Sequence, residues 1–210
     1  VAMESDKAIE ELKVIRALME RPIRSSTLSG KSAILAGVVA LAATAANWAV
    51  WPAARTGDGT DALLAGGAIW VAALAVAVAG TLLLSWRRGK RKGLPFWTSV
   101  KRRILATILP VFAAGVAMTA GLIVHGVQHP DSDSWALIMP SWMLFYGIAL
   151  WQLGLLSEPP VRVLAGAFFA AGLASCLVPA ILYHPAPTMG VTFGGFHILY
   201  GLYVWRRYGG

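Results

Sequence analysis

Residues 62–103 read ALLAGGAIWVAALAVAVAGTLLLSWRRGKRKGLPFWTSVKRR, an apolar run that passes directly into a basic one. No charged side chain occurs from residue 62 to residue 86, a run longer than the ~20 apolar residues that cross a ~30 Å hydrocarbon layer. Eight of the next 17 residues are Lys or Arg, which is typical of the cytoplasmic flank of a transmembrane helix. This segment therefore predicts a membrane-spanning helix followed by a cytoplasmic loop.

Further apolar runs of about this length divide the rest of the chain. They occupy residues 32–54, 104–125, 135–156, 161–183 and 188–205. Only 13% of the 210 residues are charged, about half the ~25% of a soluble domain. Because the connections are short, consecutive helices should be antiparallel neighbours. We therefore predict an all-α, polytopic integral membrane protein with six transmembrane helices in one bundle, residues 31–210.

The chain begins with a polar segment instead of an apolar one. In residues 3–21, Ile9, Leu12, Ile15 and Leu18 recur at helical spacing, and Pro22 follows. This predicts a short amphipathic cytoplasmic helix, which with its linker occupies residues 1–30. Its acidic and basic residues balance, whereas helices that bind anionic lipid have a basic polar face. We expect it to contact protein, the alternative being a solvated helix on the membrane surface.

The basic residues predict the orientation. If successive helices cross the membrane in alternating directions, Arg55 is the one basic residue on one side of the membrane. The other side of the membrane then holds Lys7, Lys13, Arg16, Arg21, Arg24, Lys31, Arg87, Arg88, Lys90, Arg91, Lys92, Lys101, Arg102, Arg103, Arg162, Arg206 and Arg207. Both termini and the basic loop are therefore expected in the cytoplasm, with the chain in a bacterial-type inner membrane. The net charge of +8 is then explained by topology and membrane lipids, and we expect no nucleic-acid partner.

No Asp, Glu, Lys or Arg lies inside a predicted span, which argues against a proton-coupled pump. The chain also has no glycine-rich phosphate loop and no nucleophile elbow, so we lean against an enzyme. The leading interpretation is a non-enzymatic accessory, regulatory or scaffold protein that binds a protein partner or an apolar, lipid-like ligand.

His197 is the one titratable residue predicted near mid-membrane. Gly190 and Gly194 precede it as a GxxxG, a pattern that favours close helix packing, so His197 should face another helix. It could be a core histidine bonded to a neighbour, a polar contact for a ligand, or an axial ligand of haem or a pigment. The same glycine face, like the N-terminal helix, is a candidate surface for a partner or a second copy.

Two further sets of candidate residues follow from side-chain chemistry. His125, His129 and His184 map to the outer side near Asp131 and Asp133, and could bind a metal or simply be interfacial polar residues. Aromatic and amide groups of the fourth and sixth spans could contact a ligand: Trp142, Tyr146, Gln152 and Tyr200.

A small-solute channel or facilitator is the alternative function. Pro110, Pro140 and Pro179 fall within the predicted third to fifth spans, where they could kink the helices and open a path between them.

Overall fold

A computed structural model describes residues 9–12, 29–54, 59–91, 93, 95–129, 131–155, 157 and 159–208. Within these ranges the chain is helical and has no strand. Three long helices come first: α1 Gly30–Ala54, α2 Gly59–Arg91 and α3 Ser99–Gln128. A 3-10 turn at Asp133–Leu137 leads into α4 Ile138–Leu155, which α5 Pro159–Leu177 follows.

The last part of the chain is divided into shorter segments. They are α6 Pro179–Leu182, α7 Pro185–Met189, a π-helical segment Gly190–Phe196, and α8 His197–Tyr208. The last three are continuous, and we call residues 185–208 the final run. Proline explains the division, because it lacks an N–H and disfavours helical geometry in the residue before it. Val178, which precedes Pro179, is extended with φ −112° and ψ 105°.

In the part of the chain that the structure describes, five helical stretches are long and apolar enough to cross a membrane: Gly30–Val50, Leu64–Arg91, Lys101–Gln128, Asp133–Leu155 and Pro159–Leu177. They correspond to the first five predicted runs. The prediction that the fifth run continues to residue 183 is wrong, since α5 ends at Leu177 and Pro179 begins another helix. The sixth predicted run lies within the final run, where a π-helical segment separates two α-helices.

α1 is antiparallel to α2, α3 to α4 and α4 to α5, and α1 is also antiparallel to the final run. Close approaches at glycines fix this register: Gly30 lies against Gly201, and Gly37 lies against Gly194. The Gly190/Gly194 face, which was expected to be available to a partner, therefore packs on α1 of the same chain. Gly190 lies against Thr44 there.

The core lies where α4, α5 and the final run meet. Met143, Ala165 and Phe168 have no exposed surface, and Val161 and Ser175 have 1% each. By contrast, α2 contributes little to this core. In its most apolar stretch no residue is buried, whereas 33% of the residues in the most apolar stretch of α5 are buried. α2 packs against α1, and α3 packs against α4 and the turn before it.

Most of the predicted N-terminal helix, residues 3–21, lies outside the described residues. Ile9–Leu12 form one helical stretch, in which Ile9 is 48% and Leu12 65% exposed.

Candidate functional site: a histidine–tyrosine pair in the core

The polar centre of the core is set within a cluster of aromatic rings. The Phe168 ring lies 4.8 Å from the rings of Tyr146 and Phe193, 5.6 Å from Phe196 and 5.5 Å from His197, measured between centroids. Most of these pairs are edge-to-face, which is a favourable arrangement of aromatic quadrupoles. The cluster joins α4, α5 and the final run at one level.

One short hydrogen bond crosses this cluster. The Tyr146 hydroxyl lies 2.6 Å from Nε2 of His197 and links α4 to the final run. His197 is only 6% exposed and faces another helix as predicted, although that helix is α4 and the glycines of the GxxxG pattern face α1. In an apolar environment an unpaired hydroxyl or imidazole nitrogen is costly, so each group satisfies the other.

The second nitrogen of His197 is less well satisfied. Nδ1 is buried and makes no hydrogen bond of ordinary geometry within the described residues. The Phe193 carbonyl, one turn earlier, is near enough to interact favourably with the ring but falls short of that geometry. His197 directly follows the π-helical segment, and such segments occur frequently at functional sites.

The packing around His197 limits what it can bind in this conformation. Nε2 is engaged by Tyr146, and the Phe193 ring is stacked on the imidazole at 6.1 Å with an interplanar angle of 15°. Axial ligation of a haem or pigment through Nε2 would require Tyr146 to move away. A cofactor role for His197 therefore stays a prediction, and it requires rearrangement of the core.

The other predicted ligand contacts separate in space. Tyr200 is buried in the same core cluster, but Gln152 is exposed. Trp142 points toward α3, where its Nε1 donates to Thr119 Oγ1 at 3.0 Å and its ring covers Gly115. Only Tyr146 and Tyr200 therefore lie with His197.

The predicted metal ligands stay near the end of the bundle opposite the basic residues. His125 and His129 rings lie 4.6 Å apart, while His184 Nδ1 donates to the Ala180 carbonyl at 2.8 Å. No group of three or more His, Cys, Asp or Glu side chains that could hold a metal is present in the described part of the chain.

A second polar link closes that end of the bundle. The Tyr183 hydroxyl donates to Asp133 Oδ2 at 2.7 Å, which ties the turn before α4 to the segment after α5. This hydrogen bond and the nearby carboxylate charge raise the pKa of Tyr183, because they disfavour the phenolate.

Sequence reasoning missed the phenylalanines that enclose the pair. Phe193 lies four residues before His197 and Phe196 lies four residues before Tyr200, a spacing that marks one broad helix face. Phe168 carried no such signal, since an apolar residue in a membrane helix is equally suited to lipid and to core.

Comparisons with protein families, with curated proteins and with solved structures find no match to this chain.

Proposed function

We propose that this chain spans the membrane six times, with the final run as its sixth passage. Residues 185–208 are 24 residues long and cover about 35 Å at ~1.5 Å per residue, enough for a ~30 Å hydrocarbon layer. The antiparallel helices bring the basic residues of α1, α2, α3, α5 and α8 to one end. We assign this end and both termini to the cytoplasm of a bacterial-type inner membrane.

Within that topology, we propose a non-enzymatic accessory or scaffold role through binding of a partner protein in the bilayer. The observation that carries the proposal is the one-sided packing of α2. Gly66 and Gly80 of α2 face Asn47 and Leu35 of α1, and this is the helix's one extensive contact among the described helices.

The opposite face of α2 includes a stripe of alanines. Ala68, Ala72, Ala75 and Ala79 are all exposed, and their spacing of four, three and four places them on one stripe. Small residues allow helix backbones to approach closely, which is the main source of helix association in lipid. A Cβ at Gly67, beside this stripe, would also meet no atom within 4 Å. The stripe thus has the surface that a partner helix or a second copy would need.

The experiment is native mass spectrometry of the full chain, gently extracted from its own membranes. We expect a second polypeptide or a defined oligomer with the wild type, and its loss in Ala72→Leu/Ala75→Leu. The matched control is Ala113→Leu/Ala117→Leu, which adds the same bulk at exposed positions of α3. A monomer without any partner, or equal retention in both double variants, contradicts the proposal.

The N-terminal segment is a second proposed contact for the same partner. Its charge-balanced sequence favours protein over anionic lipid. Deletion of residues 3–21 should abolish co-purification and leave the bundle folded, as judged by a monodisperse size-exclusion profile. Unchanged co-purification would assign the contact to the membrane helices alone.

A ligand at His197 is the second candidate function, and the absence of a hydrogen bond of ordinary geometry at Nδ1 within the described residues favours it. An absorption spectrum and elemental analysis of the extracted protein test it, and a colourless, metal-free, folded sample excludes haem, pigment and metal.

A channel has weaker support, because Met143 and Phe168 fill the α4–α5 interface with no exposed surface. Pro140 is buried at the beginning of α4, and Pro179 lies beyond the end of α5.

A further inference from the structure

The last two turns of α8 border a shallow, open depression at the protein surface. Its lining is Leu199, Leu202, Tyr203, Arg206 and Arg207. These residues lie on the side of α8 away from α1, since Gly201 and Trp205 face Gly30. Leu199 is 67% and Tyr203 49% exposed, so this face is uncovered within the described part of the chain.

The lining changes from apolar to cationic along the helix axis. Leu199 and Leu202 come first, Tyr203 follows, and Arg206 and Arg207 lie about 10 Å beyond Leu199 at ~1.5 Å per residue. Neither guanidinium pairs with a carboxylate among the described residues. Tyrosine prefers the region between hydrocarbon and water, and arginine donates well to phosphate oxygens.

We propose that this face of α8 binds one anionic phospholipid. Arg206 and Arg207 contact the phosphate and headgroup, Tyr203 lies at the glycerol level, and Leu199 and Leu202 contact the upper acyl chain. The order of these side chains along α8 matches the order of chemical groups in a phospholipid of the same leaflet. Two arginines with no carboxylate partner among the described residues supply the charge complementarity that selects an anionic over a zwitterionic headgroup.

The proposal rests on the six-span topology and is independent of a protein partner. Tyr208→Cys, combined with Cys176→Ser, separately tests the assignment of this end of α8 to the cytoplasm. Its labelling by an impermeant thiol reagent should occur in inverted vesicles and not in right-side-out vesicles. Labelling only in right-side-out vesicles would overturn the topology, whatever the lipid result.

The lipid itself is tested by native mass spectrometry of the purified full chain with phosphatidylglycerol or phosphatidylcholine. The wild type should retain one phosphatidylglycerol and discriminate against phosphatidylcholine. Arg206→Gln/Arg207→Gln should lose about tenfold or more of that retention. The matched control, Arg87→Gln/Arg88→Gln, removes the same charge from the end of α2 and should change it less than about twofold.

Two further measurements distinguish binding of a whole phospholipid from binding of its phosphate headgroup alone. Leu199→Ala keeps both arginines and should still lower phosphatidylglycerol retention, by about threefold. Free glycerol phosphate should not displace the lipid at equal concentration. Equal loss in the two arginine variants, no effect of Leu199→Ala, or displacement by glycerol phosphate would each overturn the proposed site.

Discussion

The final run and α2 are both rich in small residues, but the two regions use them differently. In the final run, Gly194 and Gly201 lie in contact with Gly37 and Gly30 of α1, with backbone close to backbone. In α2, the stripe beginning at Ala68 faces away from every described helix that α2 extensively contacts. The glycines of the final run already pack against another helix of the same chain. The alanines of α2 have the composition of a helix–helix interface but lack such a partner among the described helices that α2 extensively contacts.

The contrast teaches that apolar composition does not distinguish core from surface in a membrane protein. Lipid tails are as apolar as leucine, so hydrophobicity gives little drive for one helix to bury against another. Close packing and buried hydrogen bonds are what distinguish a buried helix face from one that contacts lipid. The core around Phe168 and the Tyr146–His197 pair has both, whereas the outer faces of α2 and α3 have neither in the described chain.

The largest expected loss of stability comes from removing a large side chain from the core. Phe168→Ala removes a ring with no exposed surface and should lower the free energy of unfolding by about 3–5 kcal/mol, because the surrounding rings cannot fill the cavity. The measurement is the temperature at which the monodisperse size-exclusion peak is lost in detergent. Leu173→Ala, on the same helix but 56% exposed, is the control. Equal losses in both variants would show that Phe168 is not in a packed core.

The glycine contact should give the next largest effect. A Cβ at Gly37 would lie 2.7 Å from the Gly194 carbonyl oxygen, so Gly37→Ala must push α1 and the final run apart. We expect a destabilisation of about 1–3 kcal/mol in the same thermal measurement. Gly67→Ala is the control on α2, where no atom lies within 4 Å. It should be neutral or stabilising, because alanine is the better helix former. A neutral Gly37→Ala would argue against the close approach.

The buried hydrogen bond should contribute less. Tyr146→Phe keeps the ring but leaves Nε2 of His197 without its partner, for a loss of about 1 kcal/mol. Tyr203→Phe, at a 49% exposed position, should be neutral in the same assay. If Tyr146→Phe is also neutral, the hydroxyl and the imidazole do not hold the final run against α4.

The smallest effect is expected at the exposed link between Tyr183 and Asp133. Tyr183→Phe removes the hydrogen bond and should lower the unfolding temperature slightly at neutral pH. Because folding raises the pKa of Tyr183, the link stabilises fully at neutral pH and is lost as pH rises through the tyrosine range above about 10. The difference between wild type and Tyr183→Phe should therefore disappear at alkaline pH. A constant difference would assign the effect to something other than phenol ionisation.

Much of the architecture could be predicted from residues alone. Six apolar runs were predicted to cross the membrane, and five of them correspond to described helices that are long and apolar enough to do so. The prediction that His197 faces another helix is confirmed, but that helix is α4, whereas the glycines of the GxxxG pattern face α1. These features depend on local composition and spacing, which a single sequence contains in full.

The partners of each helix face could be decided only by the tertiary structure. The sequence suggested the Gly190/Gly194 face for a second copy, but α1 of the same chain occupies it. Tyr146 was one of four proposed ligand contacts, and only the fold places it against His197 and separates it from Gln152. The physical reason is that in a membrane every apolar face is compatible with lipid. Which faces meet therefore depends on shape and hydrogen bonding between segments distant in sequence, and hydropathy does not record that.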